Sequence, residues 1–428
     1  MDRCNVLPLF MILAVLMGCS NKEFVPNYDE SAVPDYKLPE LLVTKEGAKI
    51  NNFTEWRNIR KNKILQDFES EMYGKYPDLE YNIEFKERIL SDNYLNGKAI
   101  SKEINVEVET INGRGSFSIL YFFPQNLKQV PVFVGLNFYG NHTIDTLNSI
   151  SIHNAWVKNN KSKNISDNLA NENSRGIRTR RWPLERLIDN GYGLATVYYG
   201  EFDPDFDDGF ENGFHPIFAT PGEERDIHSA GSISMWAKGM SLIADYLQHD
   251  SIADPTRIIA IGHSRMGKTA LWAGANDERF AAVISNNSGC GGAALSRRQF
   301  GETVGRINTS FPHWFCERFK RYNQKEHKLP FDQHMLLALI APRPVYVASA
   351  TKDRWADPKG EYLALKAALP VYKLSSGYET SFPEELPVPD KPILNKTGYH
   401  LRTGPHNITD YDWLTFINWS NKWLGGSN

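Results

Sequence analysis

The sequence has little cysteine, with four in 428 residues. No cluster of cysteines and histidines has metal-ligand spacing, so we expect an activity that needs neither a metal nor another cofactor. Beyond the first 19 residues only Cys290 and Cys316 remain. The sequence leaves open whether these two form a disulfide or stay as buried thiols.

An excess of one charge is also missing. Lys and Arg number 48 against 51 Asp and Glu, which gives a net charge of −3. This balance argues against a nucleic-acid partner. The chain has no internal repeat and no internal linker, and 41% of its residues are hydrophobic. We therefore expect one large domain, over residues 39–428, in a monomeric protein.

The apolar run from Val6 to Met17 is too short to span a membrane. Following Arg3, it predicts a signal peptide over residues 1–18. The sequence Leu16-Met17-Gly18-Cys19 resembles a bacterial lipobox, which predicts cleavage before Cys19 and a lipid on that cysteine. The alternative is a plain secretory signal. On the first interpretation residues 19–38 are a tether, and the lipid is the protein's one link to the membrane of a bacterial cell envelope.

Strand and helix patterns alternate along the rest of the chain. This alternation predicts a mostly parallel sheet with helices on both faces, the three-layer sandwich of an α/β hydrolase. Residues 201–222 form a long loop, and a loop of that length in a compact domain is usually either functional or disordered. Residues 290–335 are expected as an insertion over the active site. The predicted strands are 104–109 and 116–123 (a hairpin), 130–138, 193–199, 257–261, 281–285, 344–348 and 398–401, and the predicted helices are 183–190, 233–247 and 413–424.

The stretch Gly262-His263-Ser264-Arg265-Met266-Gly267-Lys268 is the most informative. It joins an apolar strand to a helical run, which is the layout of a nucleophile elbow. Such a turn exposes the serine hydroxyl and points helix N-terminal N–H groups at developing negative charge. The common motif is G-x-S-x-G, and here the second glycine comes one residue late.

A nucleophilic serine needs a histidine base and an acid that orients it, in the chain order serine, acid, histidine. His406 lies in the loop before the last helix, where the base is expected, whereas His400 lies inside a predicted strand. Asp353 follows a buried strand. Its competitor Asp357 precedes Pro358 and has the alternative role of a helix cap.

Several further motifs resemble those of the glucuronoyl esterases, carbohydrate esterase family 15. That family's elbow has the form G-x-S-R-x-G-K, which accounts for the late glycine. The resemblance covers nearly the whole chain after the signal segment. The matching blocks are 264–268, 288–292, 300–302, 311–315, 332–334, 341–344 and 355–358.

The resemblance implies cleavage of the ester between 4-O-methyl-glucuronic acid of glucuronoxylan and lignin alcohols. It also implies roles beyond the Ser264, His406 and Asp353 triad. Arg265 would stabilise the oxyanion, and Lys268, Glu302 and Trp355 would hold the glucuronoyl ring. The milder alternatives are a solvated Lys268, a helix-start Glu302 and a core Trp355.

One position departs from the family pattern. Many members carry a glutamate where this sequence has Asn287, and an amide cannot balance an imidazolium charge. Some bacterial members instead use an aspartate two residues before the tryptophan, as Asp353 stands before Trp355. Two other functions stay open on the sequence: an acetyl xylan esterase or similar carboxylesterase, and an inactive glycan-binding lipoprotein, for which Asn287 is the main argument.

Overall fold

The computed structural model describes residues 24–376 and 382–425. The predicted signal peptide and the lipobox cysteine Cys19 therefore lie outside the described residues. Within the described ranges, no helix is both long enough and apolar enough to cross a membrane.

A nine-stranded sheet runs through the molecule in the order β1-β2-β3-β5-β4-β6-β7-β8-β9. The three N-terminal strands are antiparallel, and β3 also pairs antiparallel with β5. From β5 to β9 all pairings are parallel. The strands are β1 Asn82–Tyr94, β2 Ala99–Thr110, β3 Gly113–Pro124, β4 Val130–Asn137, β5 Gly193–Tyr198, β6 Ala253–His263, β7 Phe280–Asn286, β8 Val345–Ala350 and β9 Thr397–Arg402.

Helices cover both faces of this sheet. The larger core contains apolar side chains of α2, α4, α5, α7 and α8, and the smaller core contains those of α3 and α9. The helices are α1 Phe53–Glu55, α2 Asn62–Phe68, α3 Leu184–Asp189, α4 Ser232–His249, α5 Arg265–Asn276, α6 Val304–Ser310, α7 Gln333–Leu339, α8 Pro358–Ser376 and α9 Asp410–Leu424. The predicted three-layer α/β-hydrolase arrangement is confirmed.

The central parallel strands explain why the apolar runs were readable in the sequence. All eight residues of β4 and all six of β5 are buried, as expected for strands covered on both faces. In contrast, no residue of the edge strand β1 is fully buried, and its apolar side chains such as Ile83 and Phe85 pack only partly against the core. The sequence patterns did not predict β1 or the helices α1, α2, α6, α7 and α8.

The predicted insertion, residues 290–335, divides into two parts. Its first part carries Glu302, His313 and Trp314 to the carboxyl edge of the sheet, as described below. The part that ends in α7 packs instead in the helical layer, against α5 and α8.

The described part of the predicted tether differs from the expectation of a free linker. Tyr36 and Leu38 pack against the larger core, and Glu30 pairs with Arg298 at 2.7 Å. The physical reason is composition, since this stretch carries aromatic and apolar side chains that gain by burial. Residues 24–38 therefore belong to the folded body.

Candidate active site

Ser264 lies in a sharp turn between β6 and α5. Its backbone has φ 60° and ψ −128°, a conformation that a non-glycine residue adopts only when the surrounding structure enforces it. A Cβ on Gly262 would stand 1.8 Å from the Met266 carbonyl oxygen, so only glycine fits there. The half-buried serine thus has the strained backbone of the predicted elbow.

The late glycine of the motif has a packing reason. A Cβ on Gly267 would lie 3.0 Å from the Ser288 Cβ and 3.1 Å from the Ser285 hydroxyl. The first turn of α5 therefore packs directly onto the end of β7 and the loop after it. This close approach requires a small residue at position 267, whereas position 266 carries a buried methionine.

His406 stands in the loop between β9 and α9, as predicted. Its Nδ1 lies 2.6 Å from Oδ2 of Asp353, and its side chain is 42% exposed. The ring centroid lies 4.5 Å from that of His263, the residue before Ser264. Among the described residues the Ser264 hydroxyl has no hydrogen-bond partner, so the contact with His406 that catalysis needs is not formed. Such contacts often tighten only when substrate binds.

Asp353 is the carboxylate that meets this histidine. It is 5% exposed, and its Oδ2 also accepts a hydrogen bond from Asn287 Nδ2 at 2.9 Å. Asn287 is therefore a neutral donor to the carboxylate that contacts His406. Asp357 faces elsewhere: it pairs with Arg298 at 2.8 Å and accepts the N–H of Gly360 in the first turn of α8.

His400 does not reach the elbow. It is fully buried in β9, where its Nε2 lies 2.9 Å from Asp412 and its Nδ1 lies 3.1 Å from the Tyr346 hydroxyl. Its ring also packs against Phe416 of α9. These contacts match the alternative of a packed strand histidine.

Arg265 is clamped beside the elbow by a residue that the sequence analysis missed. Its Nη1 donates to Asp205, and Nη1 also lies 3.4 Å from the Tyr199 hydroxyl. Asp205 in turn lies 3.0 Å from His313 Nε2 and accepts a hydrogen bond from Trp314 Nε1 at 2.7 Å. The only signal for Asp205 was its place in the long loop 201–222.

The charge of Asp205 is fixed by these partners. Burial alone would raise its pKa, but Arg265 and the donors His313 and Trp314 hold that pKa well below its usual range. Aromatic rings also surround the guanidinium, with the Trp314 centroid 5.1 Å from Cζ. A cation fixed in this way is preorganised to meet an oxyanion formed at Ser264.

Lys268, Glu302 and Trp355 lie on the β7 and β8 side of the elbow. Lys268 is buried on α5, where its ammonium donates to the Ser288 carbonyl. Burial lowers the pKa of Lys268 and raises that of Glu302, and the charge of each opposes the effect on the other. Trp355 is 36% exposed, and its carbonyl accepts the N–H of Glu302 at 3.0 Å. An ammonium, a carboxylate and an exposed indole are thus grouped beside the serine.

The two remaining cysteines do not pair. Cys290 and Cys316 are both buried free thiols. Burial raises the pKa of each thiol, so neither is a thiolate at neutral pH. The serine stays the candidate nucleophile.

Comparisons with known proteins agree with this geometry. The family described as "Glucuronyl esterase, fungi" matches residues 224–375. Carbohydrate esterase MZ0003, from an unknown prokaryotic organism, is 46% identical over 406 residues, 94% of this chain and 92% of that one.

Two solved structures superpose over nearly the whole chain. A promiscuous CE15 esterase from the marine bacterial metagenome gives a TM-score of 0.87 at 45% identity, covering 93% of this chain and 100% of that one. A glucuronoyl esterase from Solibacter usitatus gives 0.84 at 39% identity, covering 92% and 100%. The chain belongs to the glucuronoyl esterase family, carbohydrate esterase family 15.

Proposed function

We propose that this protein is a serine esterase that hydrolyses the ester between 4-O-methyl-glucuronic acid of glucuronoxylan and an alcohol of lignin. The observation that carries the substrate class is the group of Lys268, Glu302 and Trp355 beside the elbow. A cation and a carboxylate are suited to hydrogen-bond neighbouring sugar hydroxyls, and an indole covers a pyranose ring. Family membership and the names of the similar esterases support the same reaction.

The proposed reaction begins when Ser264 Oγ attacks the ester carbonyl and His406 takes its proton. Asp353 orients the His406 ring and stabilises the imidazolium. Arg265 and the backbone N–H groups at the start of α5 stabilise the oxyanion of the tetrahedral intermediate.

The intermediate collapses to an acyl-enzyme as His406 gives the proton to the departing alcohol. A water molecule, activated by His406, then attacks the acyl-enzyme and releases the uronic acid. Each bond change uses groups that stand at the carboxyl edge of the parallel sheet, where loops from different strands meet.

A hydrolysis assay tests this function. The purified protein is given benzyl glucuronate, methyl galacturonate and acetylated xylan, with the Ser264→Ala variant as the blank. We expect preference for the glucuronate, abolished in the variant. Release of acetate alone would replace the proposal with a xylan deacetylase. No hydrolysis by folded protein would favour a glycan-binding protein.

We also propose that the protein is exported, carries a lipid on Cys19 and acts as a monomer at the cell envelope. The lipobox-like sequence Leu16-Met17-Gly18-Cys19 supports the anchor. Metabolic labelling with a radioactive fatty acid should mark the wild-type chain but not the Cys19→Ala variant. Equal labelling of both chains would remove the anchor from the proposal.

A further inference from the structure

Residues 24–30, called the N-terminal segment below, lie against the residues proposed to hold the sugar. The Phe24 ring meets the Trp355 indole edge-on, with centroids 6.1 Å apart and planes at 86°. The Asn27 carbonyl accepts the N–H of Gly301 at 2.8 Å. Gly301 directly precedes Glu302, whose own N–H donates to the Trp355 carbonyl. The segment therefore contacts Trp355 directly and reaches Glu302 through its neighbour Gly301.

Charged contacts fix the other end of the segment to the same region. Glu30 pairs with the buried Arg298 at 2.7 Å and with Lys359 at 2.9 Å. Arg354, the neighbour of Trp355, donates to the Tyr28 carbonyl, and its guanidinium lies 4.8 Å from the Tyr28 ring centroid. The segment is thus held through residues that flank Glu302 and Trp355.

The Trp355 side chain is exposed enough for a neighbouring contact to decide its orientation. It is the one tryptophan among the exposed large hydrophobic side chains of the described residues, at 36% exposure. An indole that projects from a short helical turn has several accessible rotamers, and a perpendicular aromatic contact favours one of them. Phe24 is itself placed by a second contact, because the Arg306 guanidinium lies 5.4 Å from its ring centroid.

We propose that Phe24 and the Asn27 to Tyr28 backbone belong to the uronate-binding site, with Phe24 as a positioning residue for Trp355 and that backbone as a support for the loop that carries Glu302. This inference rests on the proposed function, and it adds a wall to the site from a part of the chain far from the elbow in sequence. The segment should therefore affect the binding only of esters whose acid part is a sugar acid. Small esters that do not reach Trp355 gain nothing from the segment.

The test compares Phe24→Ala with Val25→Ala, a matched control because Val25 is 82% exposed on the same segment. With benzyl glucuronate we expect Phe24→Ala to raise KM about three- to tenfold, the range of an aromatic pair, with kcat within twofold. With p-nitrophenyl acetate both variants should match the wild type. Phe24→Tyr should restore the wild-type KM.

Two results would overturn the inference: equal KM for Phe24→Ala and Val25→Ala, or an equal loss on both esters, which would indicate general damage. Thermal melting of each variant checks the fold. If Phe24→Ala does not fold, Glu30→Gln takes its place, because it loosens the segment at its other end.

The inference stays testable if the wild type hydrolyses no glucuronate. Binding of glucuronic acid to the Ser264→Ala protein is then measured by calorimetry. Weaker binding after adding Phe24→Ala, but not Val25→Ala, would support the segment's role while the esterase proposal fails. Equal binding by the Phe24→Ala and Val25→Ala proteins would refute the role of the segment. No binding of glucuronic acid by the Ser264→Ala protein would refute both proposals.

Discussion

His406 and His400 lie on either side of the end of β9, and each pairs with an aspartate. The two distances are similar, 2.6 Å to Asp353 and 2.9 Å to Asp412. Their surroundings differ: the His406 side chain is 42% exposed beside Ser264, whereas His400 and Asp412 are fully buried. A short histidine–carboxylate distance therefore does not by itself indicate a catalytic pair. Exposure and a place next to the elbow distinguish His406 from His400.

The partners of the two aspartates deepen this contrast. Asp353 has one amide donor besides the histidine, Asn287. Asp412 also pairs with Arg402 at 2.9 Å and accepts from the Thr409 N–H at 2.7 Å, which caps α9. Asp353 can therefore stabilise a positive charge on His406, whereas Asp412 connects β9 to the start of α9.

The largest effect is expected from Asp353→Asn. This change removes the charge that orients and stabilises the His406 imidazolium, so kcat should fall by about 10⁴-fold. Steady-state kinetics on benzyl glucuronate measure the fall in kcat, and a thermal melt of the same variant checks that it is folded. Asp357→Asn is the matched control, because that carboxylate binds Arg298 instead of the histidine. Near-normal turnover in Asp353→Asn would remove Asp353 from the proposed triad.

The counterpart change is Asp412→Asn. It leaves Arg402 and His400 short of a buried charge partner, so the free energy of unfolding should fall by about 3 kcal/mol. Turnover per folded molecule should stay within twofold. Urea unfolding and kinetics on the same preparation check both statements. A large loss of turnover at unchanged stability would mean that the buried pair serves catalysis after all.

Asp205 forms a third aspartate–histidine pair, with His313, and it also binds the Arg265 guanidinium. Asp205→Asn should loosen Arg265 and lower kcat by about 10²-fold, the usual cost of a lost oxyanion donor. Asp203→Asn is the control, since Asp203 faces His215 at 3.3 Å in the same loop. If both variants lose turnover equally, the loop as a whole matters and the specific clamp on Arg265 does not.

The site residues also differ in how far the sequence alone predicts them. Ser264 was predictable because the elbow is encoded by adjacent residues, and His406 because loop and strand positions differ in apolar pattern. The place after a buried strand suggested Asp353 but left Asp357 open, and the family resemblance favoured Asp353. The predictions of Ser264 and His406 depend on local order along the chain, which periodicity and glycine placement report.

Asp205 and the N-terminal segment were not predictable in this way. Asp205 meets Arg265 across a separation of 60 residues, and Glu30 meets Arg298 across 268. Neither stretch has a periodic pattern, because each is held by a few long-range contacts. The edge strand β1 differs, because its apolar side chains such as Ile83 and Phe85 are only partly buried and two register shifts interrupt its pairing with β2.

A fourth buried carboxyl lies near Asp353 and has no histidine partner among the described residues. Glu361 on α8 is fully buried and accepts hydrogen bonds from the Gly289 N–H at 2.9 Å and from the Ser349 hydroxyl at 2.5 Å. Burial raises its pKa to about 8, with the charge of Asp353 adding to the effect. Burial, more than any partner, thus sets the pKa of Glu361.

The last prediction concerns pH and Glu361→Gln. Between pH 4.5 and about 8 the folded protein keeps the Glu361 proton that the unfolded chain has lost. The folded state then binds more protons, so wild-type stability should fall as the pH rises through this window. Glutamine removes that slope, and the variant should gain about 1 kcal/mol or more on the wild type from pH 5 to pH 8. Urea unfolding at both pH values measures the gain, with the exposed Glu385→Gln as the control. Parallel pH profiles for the wild type and Glu361→Gln would mean that Glu361 is ionised in the folded protein, and that Asp353 shares its surroundings with a second charge.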